Sequence, residues 1–87
     1  MSDPEALRSA IFELINNQLR DGTPPETKAT YDRLLSEGYP EEEVMKYIGA
    51  VVSSEIFAVL KEGRTYDNER YVAALKALPR LPWDEDN

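Results

Sequence analysis

Residues 40–63 read PEEEVMKYIGAVVSSEIFAVLKEG. Met45, Ile48, Val52, Ile56 and Val59 recur in this stretch at spacings of three and four. Val44, Tyr47, Val51 and Leu60 form a second line, and Phe57 widens the apolar surface. This period predicts a helix from Pro40 to about Glu62. A helix apolar over so much of its circumference is touched from several sides. The stretch is therefore expected to be the hub of an all-α domain. Glu41, Glu42 and Glu43 fill its first turn, where the helix dipole favours negative charge. The same triplet could instead meet a cation or a basic partner.

Gly49 sits inside this helix, at a cost of about 1 kcal/mol relative to alanine. Gly49 and Ser53 are four residues apart, as are Ala50 and Ser54. Small residues at this spacing let a second backbone come close. Two partners stay open: the first helix of the same chain, or the same helix of a second copy.

Outward from the hub, glycines mark the stops. Gly22, Gly38 and Gly63 each follow an amphipathic segment. The first helix is expected to start at Asp3-Pro4, with Asp3 as cap and Pro4 at the first helical position. Leu7, Ile11, Leu14 and Gln18 make its stripe, and Phe12, Ile15 and Leu19 run beside it. The second helix opens on Thr23-Pro24-Pro25-Glu26, which has the form of a capping box. Thr27, Tyr31, Leu34 and Gly38 share one face, with Thr30 and Leu35 at its edges. This weaker stripe suggests a short helix at the edge of the bundle. Asp67 is the expected cap of the fourth helix, and Tyr71, Leu75 and Leu78 are its inward stripe. Pro79 ends it, because the residue before a proline leaves the helical region. No strand is expected. Residues 1–78 read as a single four-helix bundle-like domain, and residues 79–87 as a Pro-rich, then acidic tail. Leu81 and Trp83 are expected to fold back onto the bundle.

Eighty-seven residues make one domain, which buries roughly 60–65% of the surface its unfolded chain exposes. There is no cysteine, so a disulfide scaffold is excluded. No apolar run approaches the roughly 18–20 residues that cross a bilayer. The acidic Met-Ser-Asp-Pro-Glu start does not read as a signal peptide, and a cytoplasmic location is expected. Ten basic residues face 17 acidic ones, net −7. That charge opposes binding to nucleic acid and to anionic membranes, and neither is expected as a partner.

There is no histidine either. The histidine and cysteine nucleophiles, the commonest general base and ordinary zinc sites are therefore absent. A carboxylate pair such as Glu13 with Glu55 could hold Mg²⁺ or Ca²⁺. Asp67-Asn68-Glu69 resembles a calcium-loop fragment but lacks the glycine and distal glutamate, and reads as a cap. No phosphate loop occurs. No cofactor, metal site or catalytic residue is expected.

Glu55 stands beside the apolar stripe of the hub, where a carboxylate is partly desolvated and needs a partner. Arg33 on the second helix is the candidate, forming an Arg33–Glu55 ion pair; the alternative is that Glu55 reaches solvent. Tyr47 and Trp83 are the candidate partner contacts: a tyrosine carries an apolar ring with a polar tip, and Trp83 beside Asp84-Glu85-Asp86 could anchor a basic partner. Pro79-Arg80-Leu81-Pro82 has the PxxP form, which a helix stop followed by a tail explains equally well.

Gln18-Leu19, Pro24-Pro25, Arg33-Leu34, Gly38, Glu55 and the closing Tyr71-x-x-x-Leu75-x-x-Leu78 form one pattern across about two-thirds of the chain. In this pattern the chain resembles a small all-helical bacterial domain of unknown function. Members of that group carry histidines in the first and third helices, and this chain has none. The resemblance implies a fold and no activity. The expected function is a non-catalytic protein-interaction or regulatory module, with the chain a monomer or a homodimer. The alternatives are a homodimeric structural protein, joined through the Gly49–Ser53 face, and a carboxylate metal-dependent enzyme.

Overall fold

The computed structural model describes residues 4–83 and contains, among them, four α-helices and no strand. They are α1 (Pro4–Asp21), α2 (Pro25–Ser36), α3 (Glu41–Glu62) and α4 (Asn68–Ala77). Asp3, the expected cap of α1, lies outside the described residues, as does the acidic stretch 84–87.

The apolar stretch at the centre of the chain forms the long helix its period demands. α3 packs against all three other helices. Its Val44, Ile48, Val51 and Val52 are buried together with Ile11 and Ile15 of α1, Leu34 of α2, and Tyr71 and Leu75 of α4. Leu78, just beyond α4, completes this core. Burying an aliphatic side chain of this size contributes roughly 1.5–3 kcal/mol. Gly63 ends α3 in the left-handed conformation, φ 67°, and donates its N–H to the Ala58 carbonyl. A side chain there would crowd the backbone, which is why glycine takes the position.

α2 departs from expectation in two ways. It is not at the edge: it packs against α1, α3 and α4. Its inner face is Thr27, Thr30 and Leu34, whose two small threonines allow close approach, whereas Leu35 is exposed. The Thr23–Glu26 capping box does not form either. α2 starts one residue later, with Pro24 as its cap residue and no side-chain cap bond. The reason lies upstream. The N–H groups of Gly22 and Thr23 both donate to the Gln18 carbonyl, at 2.8 and 3.3 Å, so this backbone closes α1.

α1 uses less of its apolar surface than its pattern suggests. Ile11 and Ile15 are buried, but Leu7 and Leu14 remain 55% and 40% exposed. The α1 backbone runs close to α2 and α3 and stands off from α4, which it meets through Gln18 and Tyr71, so one flank of its broad face is left open. At the other end of the chain, Leu81 packs against the core as expected, while Trp83 stays 58% exposed.

One member of the small-residue stripe, Gly49, is covered within the chain. It is buried, and a Cβ built on it would lie 3.5 Å from Phe12 Cε1 and 3.7 Å from Ile11 Cγ2. The close neighbour is α1 of the same chain. These distances are ordinary van der Waals contact, so a methyl group fits and a larger side chain does not. Gly49→Ala should therefore raise stability by up to about 1 kcal/mol through helix propensity. Gly49→Leu should lower it by about 1–3 kcal/mol through overpacking. Urea unfolding checks both, and equal effects of the two substitutions would contradict this packing.

Candidate functional site

Because α4 does not cover α1, a cleft of about 300 Å³ opens along the second half of α3. Leu14 and Gln18 of α1 form one wall, and Val52, Ile56, Val59 and Leu60 of α3 the other. Tyr66, from the α3–α4 loop, and Tyr71 of α4 line it as well, together with Glu55. The volume is at the lower limit of small-molecule pockets, a size for one or two side chains. Around it, large apolar groups face solvent: Leu60 is 78% exposed and Tyr66 52%.

The charge in this lining is neutralised from behind. Glu55 is buried, and both of its carboxylate oxygens are taken. Arg70 Nε donates to Oε1 at 3.0 Å, Arg70 Nη2 donates to Oε2 at 2.6 Å, and the Asp67 N–H donates to Oε2 at 3.3 Å. This fork is charge-assisted and bidentate. The Arg70 hydrogen bonds hold the Glu55 carboxyl below its ordinary value of 4.5, against the opposing effect of burial.

The expected Arg33–Glu55 pair is thus corrected. Glu55 fastens α4 to α3, and its partner is Arg70. Asp67 caps α4, as the sequence suggests, by accepting from the N–H groups of Glu69 and Arg70 at 3.0 and 3.2 Å. That cap sets the first turn of α4 against α3 and brings Arg70 within reach. The short connection between Gly63 and Asp67 was the available signal. Arg33 serves a different joint. Its Nη2 donates to the carbonyls of Leu75 and Lys76 at 3.2 and 3.4 Å, among the last carbonyls of α4, where a cation also suits the helix dipole.

A second polar cluster stands behind the cleft and was not foreseen. Gln18 Oε1 accepts from Thr27 Oγ1 at 2.8 Å and from Tyr71 Oη at 2.9 Å. One amide oxygen so joins α1, α2 and α4, and both donors are buried. Burial raises the pKa of Tyr71, and burial likewise raises that of Tyr66. Tyr66 packs against Tyr71 at a centroid distance of 6.3 Å and donates its hydroxyl to Asn68 Oδ1 at 3.0 Å. On another face, Tyr31 donates to Glu41 Oε2 at 2.7 Å, and this bond is the main reason its pKa is raised. One member of the acidic triplet is therefore tied to α2.

Tyr47 and Trp83 do come together. They line one shallow depression with Lys46, Ala50 and Leu81, and Tyr47 stacks edge-on against Tyr39 at 5.5 Å. Glu13 is exposed on α1, and the oxygens of Glu55 are committed to Arg70 and Asp67. Among the described residues no group of three or more carboxylates is placed to hold a metal ion.

No family model, no curated protein and no solved structure matches the chain.

The ion pair has a pH signature. A depressed folded pKa adds stability that is complete above the ordinary carboxylate range and is lost as pH falls through the folded value. Glu55→Gln should destabilise the fold by about 1.5–3 kcal/mol at pH 7, the range for hydrogen bonds to a charged group. The gap between parent and variant should narrow steadily below pH 4.5. Thermal melts of both proteins from pH 7 to pH 3 measure it, and a constant gap would show that Glu55 is not held ionised by Arg70. A companion substitution, Gln18→Leu, leaves two buried hydroxyls without an acceptor. It should cost about 1–3 kcal/mol in the same melts.

Proposed function

We propose that the chain is a non-catalytic protein-interaction module that receives an uncharged apolar segment of a partner protein in the cleft between α1 and α3. The observation that carries this reading is the ring of exposed apolar side chains around a neutralised interior. Leu14, Leu60 and Tyr66 are 40%, 78% and 52% exposed, and Glu55 is already matched by Arg70. Scattered apolar residues on a surface are ordinary, but apolar residues rimming one concavity mark a contact site. The chain carries −7 overall, so a face without free charge stands apart from its surroundings. A regulatory role would follow from the same contact.

Further support comes from the residue types present. A chain with neither histidine nor cysteine lacks the usual acid–base and nucleophilic groups. The net charge argues against nucleic acid and anionic membranes as the partner. No helix among the described residues is long and apolar enough to cross a membrane. A cytoplasmic location and a bacterial origin belong to the same proposal. The homodimeric alternative keeps an exposed Ser53 on its suggested face, although Gly49 itself lies against α1.

The test is a photo-crosslinking residue placed at Leu60, with Lys28 on α2 as the control position. A protein should be captured from position 60 and not from position 28. Its affinity should fall by roughly tenfold or more in Leu60→Asp, which corresponds to about 1.4 kcal/mol. The melting point of that variant should stay near the parent's, since Leu60 is 78% exposed. Equal capture at both positions, or unchanged affinity in Leu60→Asp, would refute the reading. Capture of a second copy alone would replace it with the homodimer.

A further inference from the structure

Almost every polar atom in the cleft is committed, and those left open define what the cleft can recognise. Glu55 uses both oxygens on Arg70 and on the Asp67 N–H. Tyr71 donates to Gln18, and Tyr66 donates to Asn68. Gln18 Oε1 accepts from two hydroxyls, but among the described residues its NH₂ group donates to none. An amide offers two donors and one acceptor oxygen. The two buried hydroxyls hold the acceptor side, so the amide is fixed and its donor side stays open. Tyr66, 52% exposed, has spent its proton on Asn68, and its hydroxyl oxygen can still accept.

One fixed donor and one exposed acceptor, set among apolar walls, are the complement of a peptide unit. We infer that the cleft binds a partner protein through one uncharged apolar side chain and the backbone peptide next to it. The peptide carbonyl accepts from Gln18 Nε2, and the apolar side chain fills the space between Ile56 and Val59. This rests on the reading of the cleft as a docking site and adds the chemistry of its occupant. A neutral occupant follows from charge. Glu55 is the single ionised group in the lining, and Arg70 has already matched it. An acidic occupant would face Glu55 with no cation left to meet it. A basic one would have to compete with a bidentate fork.

Three small probes sharing one aromatic ring separate the contributions. N-acetyl-phenylalanine N′-methylamide carries the ring and neutral peptide units. N-acetyl-phenylalanine replaces one of those units with a carboxylate, and toluene has no acceptor. Each is titrated into ¹⁵N-labelled protein, and the Gln18 side-chain amide resonance is followed with the backbone amides of Ile56 and Val59. The neutral amide should bind with a Kd on the order of millimolar, as its size permits. It should shift the Gln18 NH₂ signals together with Ile56 and Val59. The carboxylate should bind roughly tenfold more weakly or worse. Toluene should shift Ile56 and Val59 and leave the Gln18 NH₂ signals in place.

Gln18→Glu keeps an oxygen for Thr27 and Tyr71 while removing the donor, and should erase the advantage of the neutral amide over toluene. Val59→Trp fills the cleft without touching the polar cluster, and should abolish binding of all three. Equal binding of the carboxylate, a stationary Gln18 signal, or full affinity in Gln18→Glu would overturn the inference. So would silence at Ile56 and Val59 with every probe. These titrations need no partner protein. If they fail while Leu60→Asp still abolishes crosslinked capture, the cleft docks its partner by other chemistry and only this inference falls.

Discussion

α3 is buried from three directions at once in a chain of only 87 residues, and the other helices are placed by that constraint. A domain this small has one core and little to spare. The rod must meet a helix on each flank, and each flank solves the contact with different residues. α1 comes close because Gly49 has no side chain. α2 comes close because its inner face is two threonines and one leucine. α4 lies along the remaining flank and is fastened by an ion pair as well as by Tyr71 and Leu75.

Such packing brings polar groups inside, and each is satisfied. The threonine that lets α2 approach would leave a buried hydroxyl without a partner if Gln18 did not accept from it. Tyr71 brings a second hydroxyl to the same oxygen. Glu55, placed by the helical period on the buried side of α3, would be an unpaired charge without Arg70. Among the described residues no buried side-chain polar atom lacks a hydrogen-bond partner. The cleft is a consequence of the same arrangement. Two helices flank α3 with their backbones apart, bridged through Gln18 and Tyr71, and the space between them is walled by residues that the local pattern had assigned to a core.

Comparing single positions shows where the local pattern is informative. The stops at Gly22, Gly38 and Gly63, the cap at Asp67 and the inward stripe of α4 were all legible, since each depends on neighbours within a few residues. The burial of Ile48 and Val52 was legible because a helix apolar on most sides has no solvated face to offer. Leu14 and Leu60 were not. Both fit an apolar stripe, and whether a stripe is covered depends on a neighbour the stripe cannot specify. The pairing of Glu55 was half legible. That it needs a cation follows from its position; which cation depends on the loop that brings Arg70 back across α3. Gln18 was read only as a polar member of a stripe, and its role as the joint of three helices has no local signature.

Local residue patterns specify the set of four helices, their stops and the apolar central rod. These are governed by hydrogen bonds and side-chain spacing within a turn or two of each residue. Which faces are covered, which charges meet and where a cleft stays open emerge from how the helices pack together. Those outcomes turn on helix axes lying about 8–10 Å apart, a relation between segments distant along the chain that no local period encodes.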